Sequence, residues 1–220
     1  MSQLTIDIVS DLVCPWCYIG RGHLHSALLR LAQSKPTWAQ AVSIEWKPFQ
    51  LNPGIPVHGL DRQLYLEKKF GKEGMKGYEQ IAVAARQAGL EMNLNRILRQ
   101  PNTLRGHVLM ACAGVRADAL ANRLFLDYFV DGKDIGQDEV LRAAGLSVGM
   151  SAEQINRAFS DQALEAEVSR ETASWPEQGV QGVPSFRLRT ALGAPLWLGG
   201  AVGTNRLFDA IWGSLARLEC

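Results

Sequence analysis

Apolar and polar positions alternate along Leu4-Thr5-Ile6-Asp7-Ile8-Val9, the period of a strand buried in a sheet. Over residues 18–32 the apolar residues recur at helical spacing instead. Residues 36–40 read as a loop. Val42-Ser43-Ile44-Glu45-Trp46-Lys47-Pro48-Phe49 alternates again and is rich in aromatic and β-branched residues, until Pro48 and the Leu51-Asn52-Pro53-Gly54 turn end it. Strand, helix, strand in that order predicts a right-handed crossover with a parallel pair.

The pattern then turns helical for more than a hundred residues. Helices are predicted over 61–70, 75–88, 103–117, 119–130, 137–144, 152–159 and 162–174, broken at Gly71, Gly74, Gly89, Pro101-Asn102, Asp131-Gly132, Gly145 and Ser160-Asp161. Ser151 with Gln154 predicts a capping box, and Ser160 a weaker cap. Strand signals return at Val183-Pro184-Ser185-Phe186-Arg187-Leu188-Arg189 and at Pro195-Leu196-Trp197-Leu198, a hairpin turning at Leu192-Gly193-Ala194. A last helix is expected over 205–218 with Thr204 as its N-cap. The architecture is therefore α/β, with residues 1–58 and 177–220 forming one domain and an all-helical insertion over 59–176.

The chemistry concentrates where the first strand meets the first helix, at Cys14-Pro15-Trp16-Cys17. Two thiols three positions apart at a helix start close a disulfide with little backbone movement. The helix N-terminus has unpaired N–H groups and partial positive charge, which favour a thiolate. Cysteines so placed ionise below the free value of about 8.5. Cys14, nearer the helix end and expected to be the more exposed, is the attacking thiol; Cys17, one turn in, resolves. Pro15 suits the first turn, where its missing N–H costs nothing. Half of a zinc site is the competing reading, but no second close cysteine pair exists, and His23 and His25 lie on the same predicted helix. Two unconnected core cysteines are the other. The strand–CxxC–helix order favours the redox pair, and no metal is expected.

A net charge of +1 without a dense basic run argues against a nucleic-acid surface, and no apolar stretch approaches the ~20 residues that span a bilayer. Met1-Ser2-Gln3-Leu4 leads straight into a strand without a secretory pattern, so a cytoplasmic location is expected. In that reducing compartment a CxxC is expected to be catalytic or redox-active rather than a lasting staple. Cys112 is expected in the core and Cys220 exposed at the chain end. Asn52 is either a turn residue before Pro53 or a polar group aimed at the site. Val183-Pro184 is either an ordinary trans start of a strand or a cis bond that turns the Val183 backbone toward an extended ligand.

Segments 11–20, 47–53, Pro101-Asn102-Thr103 with His107, and Gly182-Val183-Pro184 together resemble the DsbA family, and within it the FrnE-like cytoplasmic branch, kin to 2-hydroxychromene-2-carboxylate isomerases and kappa-class glutathione transferases. The likeness extends over nearly the whole chain. It implies a thioredoxin-like fold with a helical insertion, a cis Pro184, and thiol–disulfide exchange through Cys14 and Cys17. Pro15, Trp16, Asn52, His107, Val183 and Pro184 would line the site. The isomerases and transferases usually carry serine at the position of Cys14 and lack Cys17, so two cysteines favour dithiol exchange. Gly203-Thr204-Asn205-Arg206 resembles the sequence with which those relatives bind the glutamyl end of glutathione; Thr204 and Asn205 are thus either glutathione contacts or simply a helix start. The resemblance implies no tightly bound cofactor, glutathione as a co-substrate, and a thiol or disulfide substrate, protein or small molecule. Neither a nucleic-acid nor a membrane partner follows, while a homodimer follows by analogy. A glutathione-dependent isomerase or transferase, and a non-catalytic redox-sensing or peptide-binding protein, are the alternatives.

Overall fold

The computed structural model describes residues 3–71 and 76–219. Strand β1 (Leu4–Ser10) feeds helix α1 (Pro15–Ser34). Helix α2 (Pro36–Gln40) stands where a loop was expected: Pro36 opens it, and Trp38 is buried against Trp212 with ring centroids 4.8 Å apart. Strand β2 (Val42–Pro48) follows. Next come β3 (Leu60–Asp61), α3 (Arg62–Phe70), α4 (Lys76–Gln87) and β4 (Arg99–Gln100). Asp61 caps α3 by accepting from the Leu64 N–H at 3.0 Å. The insertion is not wholly helical, because β3 and β4 pair antiparallel, with Leu60 opposite Gln100.

The helix expected over 103–117 is split. Helix α5 (Leu104–Ala111) ends at Cys112, and a tight turn at Gly114–Arg116 leads into α6 (Ala117–Phe129). Helix α7 (Asp138–Ser147) runs through Gly145, which does not break it. A Cβ there would meet Ile155 Cδ1 at 2.9 Å, so this glycine serves close helix packing. Helix α8 (Ala152–Ser160) has the expected Ser151–Gln154 box, but Asp161 rather than Ser160 caps α9 (Gln162–Ser174). Strands β5 (Ser185–Thr190) and β6 (Leu196–Gly199) form the hairpin. Helix α10 (Thr204–Ala216) starts one residue early: Gly203 is its N-cap, and the Thr204 hydroxyl is not a cap. Met75, Gly74 and Cys220 lie outside the described residues. Cys112, expected in the core, is half-buried at the end of α5 and packs against the edge of the core.

The four-stranded sheet has the order β2-β1-β5-β6. β1 pairs in parallel with β2, from Leu4 opposite Val42 to Ser10 opposite Pro48, and antiparallel with β5. Leu4, Ile6 and Ile8 point to one face and pack on Leu24 and Leu31 of α1 and Leu207 and Ile211 of α10. Each such side chain stabilises the fold by about 1.5–3 kcal/mol. The alternation in β1 does not mark a wet face, for Asp7 is buried too. Burial alone would push its pKa up, but hydrogen bonds from Arg189 and Arg187 (Nε to Oδ2 2.7 and 2.6 Å) outweigh that and hold it below the ordinary value. A second core joins Leu12, Val13, Cys14, Cys17 and Tyr18 to α5, α6, α7 and α8, with the Tyr18 ring stacked on Phe125 and Phe129. The cysteine motif thus sits where sheet and insertion meet. Among the described residues, no helix is long and apolar enough to cross a membrane.

Candidate active site

Cys14 is the N-cap of α1, in extended backbone conformation, with Pro15 beginning the helix. The backbone N–H groups of Cys17 and Tyr18 donate to the Cys14 carbonyl at 3.0 and 3.3 Å, so the motif is wound into the first turn. Both cysteines are free thiols. The expected contrast in exposure is small: Cys14 is 4% exposed and Cys17 1%. What separates them is direction. Cys14 lines a cleft of about 470 Å³, and Cys17 does not. Burial pushes the Cys17 pKa well up, and the Cys14 sulfur beside it adds to this. The Ser10 hydroxyl and the Asp11 backbone pull only partly the other way. Cys17 is therefore held as a thiol.

The Cys14 Sγ lies 3.7 Å from the Val183 carbonyl, toward which its thiol points. The Val183–Pro184 bond is cis, as the resemblance implied. Pro184 reaches this place because residue 20 is glycine: a Cβ on Gly20 would come within 2.9 Å of Pro184 Cγ and 3.2 Å of Phe186 Cζ. Any side chain there would push the Val183 segment away from Cys14.

The loop after β2 is tied to the motif from below. The Leu51 N–H donates to Asp11 Oδ2 at 2.8 Å, and Gln50 Nε2 to Asn102 Oδ1 at 3.2 Å. Asn102 Nδ2 donates to the Ile55 carbonyl at 2.6 Å. Segments 47–53 and 101–103 therefore act as one brace, which is the physical content of two of the motifs read from the sequence. Asn52 follows from this brace into the cleft, where its Nδ2 donates to the Tyr65 hydroxyl at 2.6 Å.

The predicted site residues divide into two groups. Cys14, Pro15, Trp16, Asn52 and Val183 share the cleft, with Trp16 40% exposed at its edge. Cys17, Pro184, His107, Thr204 and Asn205 do not line it. His107 is buried behind the motif, with its Nε2 3.0 Å from the Phe49 carbonyl and 3.5 Å from Asp11 Oδ1. Thr204 Oγ1 lies 3.1 Å from His23 Nδ1, and Asn205 Oδ1 accepts from Arg30 at 3.2 Å, so both side chains engage α1.

The far wall of the cleft comes from residues that sequence reasoning did not single out. Helix α3 contributes Arg62, Tyr65, Leu66, Lys69 and Phe70, and α4 contributes Gln80 and Ile81. Lys69 Nζ donates to the Tyr65 hydroxyl at 2.9 Å, so that oxygen accepts from both Lys69 and Asn52 and its own proton is left to point outward. Arg62 hydrogen-bonds Gln100. Among the described residues the cleft has two cations and no carboxylate. The only trace of this in the sequence is the i, i+4 spacing of Tyr65 with Lys69 and of Leu66 with Phe70, which marks one face of a helix but not what that face meets.

The chain is similar to known proteins in family, in structure and in sequence. A family model described as a DSBA-like thioredoxin domain matches residues 5–213. A probable DsbA oxidoreductase from Streptomyces coelicolor superposes with a TM-score of 0.82 at 24% identity, covering 97% of this chain and 90% of that one. A 2-hydroxychromene-2-carboxylate isomerase and the cytosolic disulfide reductase DsbM of Pseudomonas aeruginosa follow at TM-scores of 0.68 and 0.65, each 18% identical and covering 98% of this chain and 97% of theirs. In sequence, the uncharacterized Bacillus subtilis protein YwbO is 23% identical over 190 residues, 82% of this chain and 84% of its own length. The fold is thioredoxin-like, with a helical insertion between the parallel pair and the hairpin.

Proposed function

We propose a thiol–disulfide oxidoreductase for this chain, which belongs to the DSBA-like thioredoxin domain family. The observation that carries the proposal is the asymmetry of the pair: Cys14 faces a substrate-sized cleft beside the Val183 carbonyl, while Cys17 stays a thiol behind it. Cys14 as thiolate attacks a substrate disulfide, forming a mixed disulfide and releasing one substrate thiolate. Cys17 then gives up its proton and attacks the Cys14 sulfur. The intramolecular disulfide forms, and the second substrate thiolate leaves. The dithiol is oxidised by two electrons and the substrate disulfide reduced by two; the reverse sequence oxidises a substrate dithiol.

The cations of the far wall favour a substrate with a carboxylate close to its sulfur. Glutathione has that chemistry, and DsbM has been solved with it. Two cysteines where the isomerases and transferases usually keep a serine and no second thiol support the FrnE-like branch, and a cytoplasmic reductase or exchanger fits that branch. The decisive measurement is the equilibrium of Cys14 and Cys17 across glutathione redox buffers, read by mass after thiol trapping. A single two-electron transition is expected. A lasting glutathione adduct on Cys14, or tight glutathione binding with no oxidation of the pair, reassigns the chain to glutathione-dependent isomerase or transferase chemistry.

A further inference from the structure

Cys17 must lose a proton as it attacks, yet it is buried and lines no part of the substrate cleft. A separate cavity of about 50 Å³ lies behind the motif, between β1, β2, α5 and α9, with Ser10, His107 and Glu171 among its lining. That is more than the ~10–15 Å³ a single water requires, and its polar lining supplies partners. The Ser10 hydroxyl is buried on this wall. It has no hydrogen-bond partner among the described residues, and it is near enough to the Cys17 thiol to draw that pKa partly back down.

His107 lies on the same cavity, and its tautomer follows from its neighbours. Nε2 is 3.0 Å from the Phe49 carbonyl, which only accepts, so Nε2 carries the hydrogen and the neutral ring keeps its lone pair on Nδ1. Asp11 Oδ1 is buried 3.5 Å from Nε2 and has no hydrogen-bond partner among the described residues, so it is the oxygen nearest to any positive charge the ring takes up. The other charged groups on the cavity are Glu171, on α9, and Lys47, on β2. Burial raises the Glu171 pKa, and Lys47 opposes that.

We propose that this cavity is the proton exit of Cys17, with Ser10 as relay and His107 Nδ1 as acceptor. The proposal rests on Cys17 being the resolving thiol. The Cys17 S–H bond breaks and its proton passes through the Ser10 hydroxyl and cavity water to His107. The electron pair left on sulfur forms the bond to Cys14, and the pair of the Cys14–substrate bond departs on the substrate thiolate. Ser10 relays the proton from the reacting thiol; His107 and Asp11 act through it and through water.

The test is single-turnover reaction of the reduced protein with oxidised glutathione, quenched in acid and read by mass, so that formation and resolution of the Cys14 adduct are timed separately from pH 5 to 10. His107→Gln keeps an N–H for the Phe49 carbonyl and removes the base. Expected is unaltered adduct formation with resolution about a hundredfold slower at neutral pH, the low end of what a positioned base contributes. The gap should close as rising pH ionises Cys17 unaided. Ser10→Ala, which removes one oxygen, should move the same step in the same direction. Resolution rates and pH profiles equal to wild type in both variants overturn the proposal, as does a slowing confined to Glu171→Gln. A wild-type adduct that never resolves overturns the dithiol reading itself, and this inference with it.

Discussion

The two walls of the cleft are built differently. The motif wall is tied into the core at every point: Cys14 caps a helix of twenty residues, Asp11 holds the Leu51 backbone, and the space at Gly20 lets Pro184 bring the Val183 carbonyl to the thiol. The α3 wall is a surface helix. Leu64 and Phe70 on it are more than half exposed, and Tyr65 is held by two side-chain hydrogen bonds from Asn52 and Lys69. Reacting groups need fixed geometry, because exchange aligns three sulfurs in one line of attack. Groups that choose a substrate need only to be complementary, and a surface helix can change its side chains without disturbing the core. On the proposed function, the motif wall would carry the chemistry and the α3 wall the selection of substrate.

The assignment breaks first at Cys14. Cys14→Ala should abolish turnover of any disulfide in an insulin-reduction assay run with a dithiol reductant; activity surviving that change would remove the motif wall from the chemistry altogether. Next come the selecting residues. Tyr65→Phe and Lys69→Met should each raise KM for an anionic disulfide such as oxidised glutathione by about tenfold, the worth of a hydrogen bond involving a charged group, with kcat nearly unchanged. An equal loss for a neutral disulfide, or a fall in kcat alone, would mean that α3 serves alignment rather than recognition.

The smallest effect concerns stability. The folded pKa of Cys17 is raised, so its contribution to the stability of the reduced protein is fully present below the ordinary thiol value of about 8.5 and is lost as pH rises beyond it. Urea midpoints of the reduced protein should therefore fall more steeply between pH 8 and 10 than those of the oxidised protein, which has no Cys17 thiol and keeps only the burial-raised thiol of Cys112 to lose stability over the same range. Parallel curves for the two forms would mean that the pair is not held unequally.

Local pattern determined much of this protein. The period of β1, the helix opened by Pro15, the Ser151–Gln154 box and the late hairpin are set by contacts within a few residues, so the strand–CxxC–helix order and the place of the chemistry could be read directly. Short-range reading misjudged the points where packing overrides pattern: Gly145 looked like a break and is a close contact, and residues 36–40 looked like a loop until Trp38 had Trp212 to bury against. Tertiary structure alone decided which groups meet. Fifty residues separate Asn52 from Asn102 and nearly a hundred and seventy separate Cys14 from Val183, and no periodicity records that their segments converge. It also placed His107 behind the motif and the Tyr65–Lys69 face in front of it. The physical reason is that a strand or helix declares its own period through its backbone, whereas which face becomes core and which becomes cleft depends on what the rest of the chain packs against it.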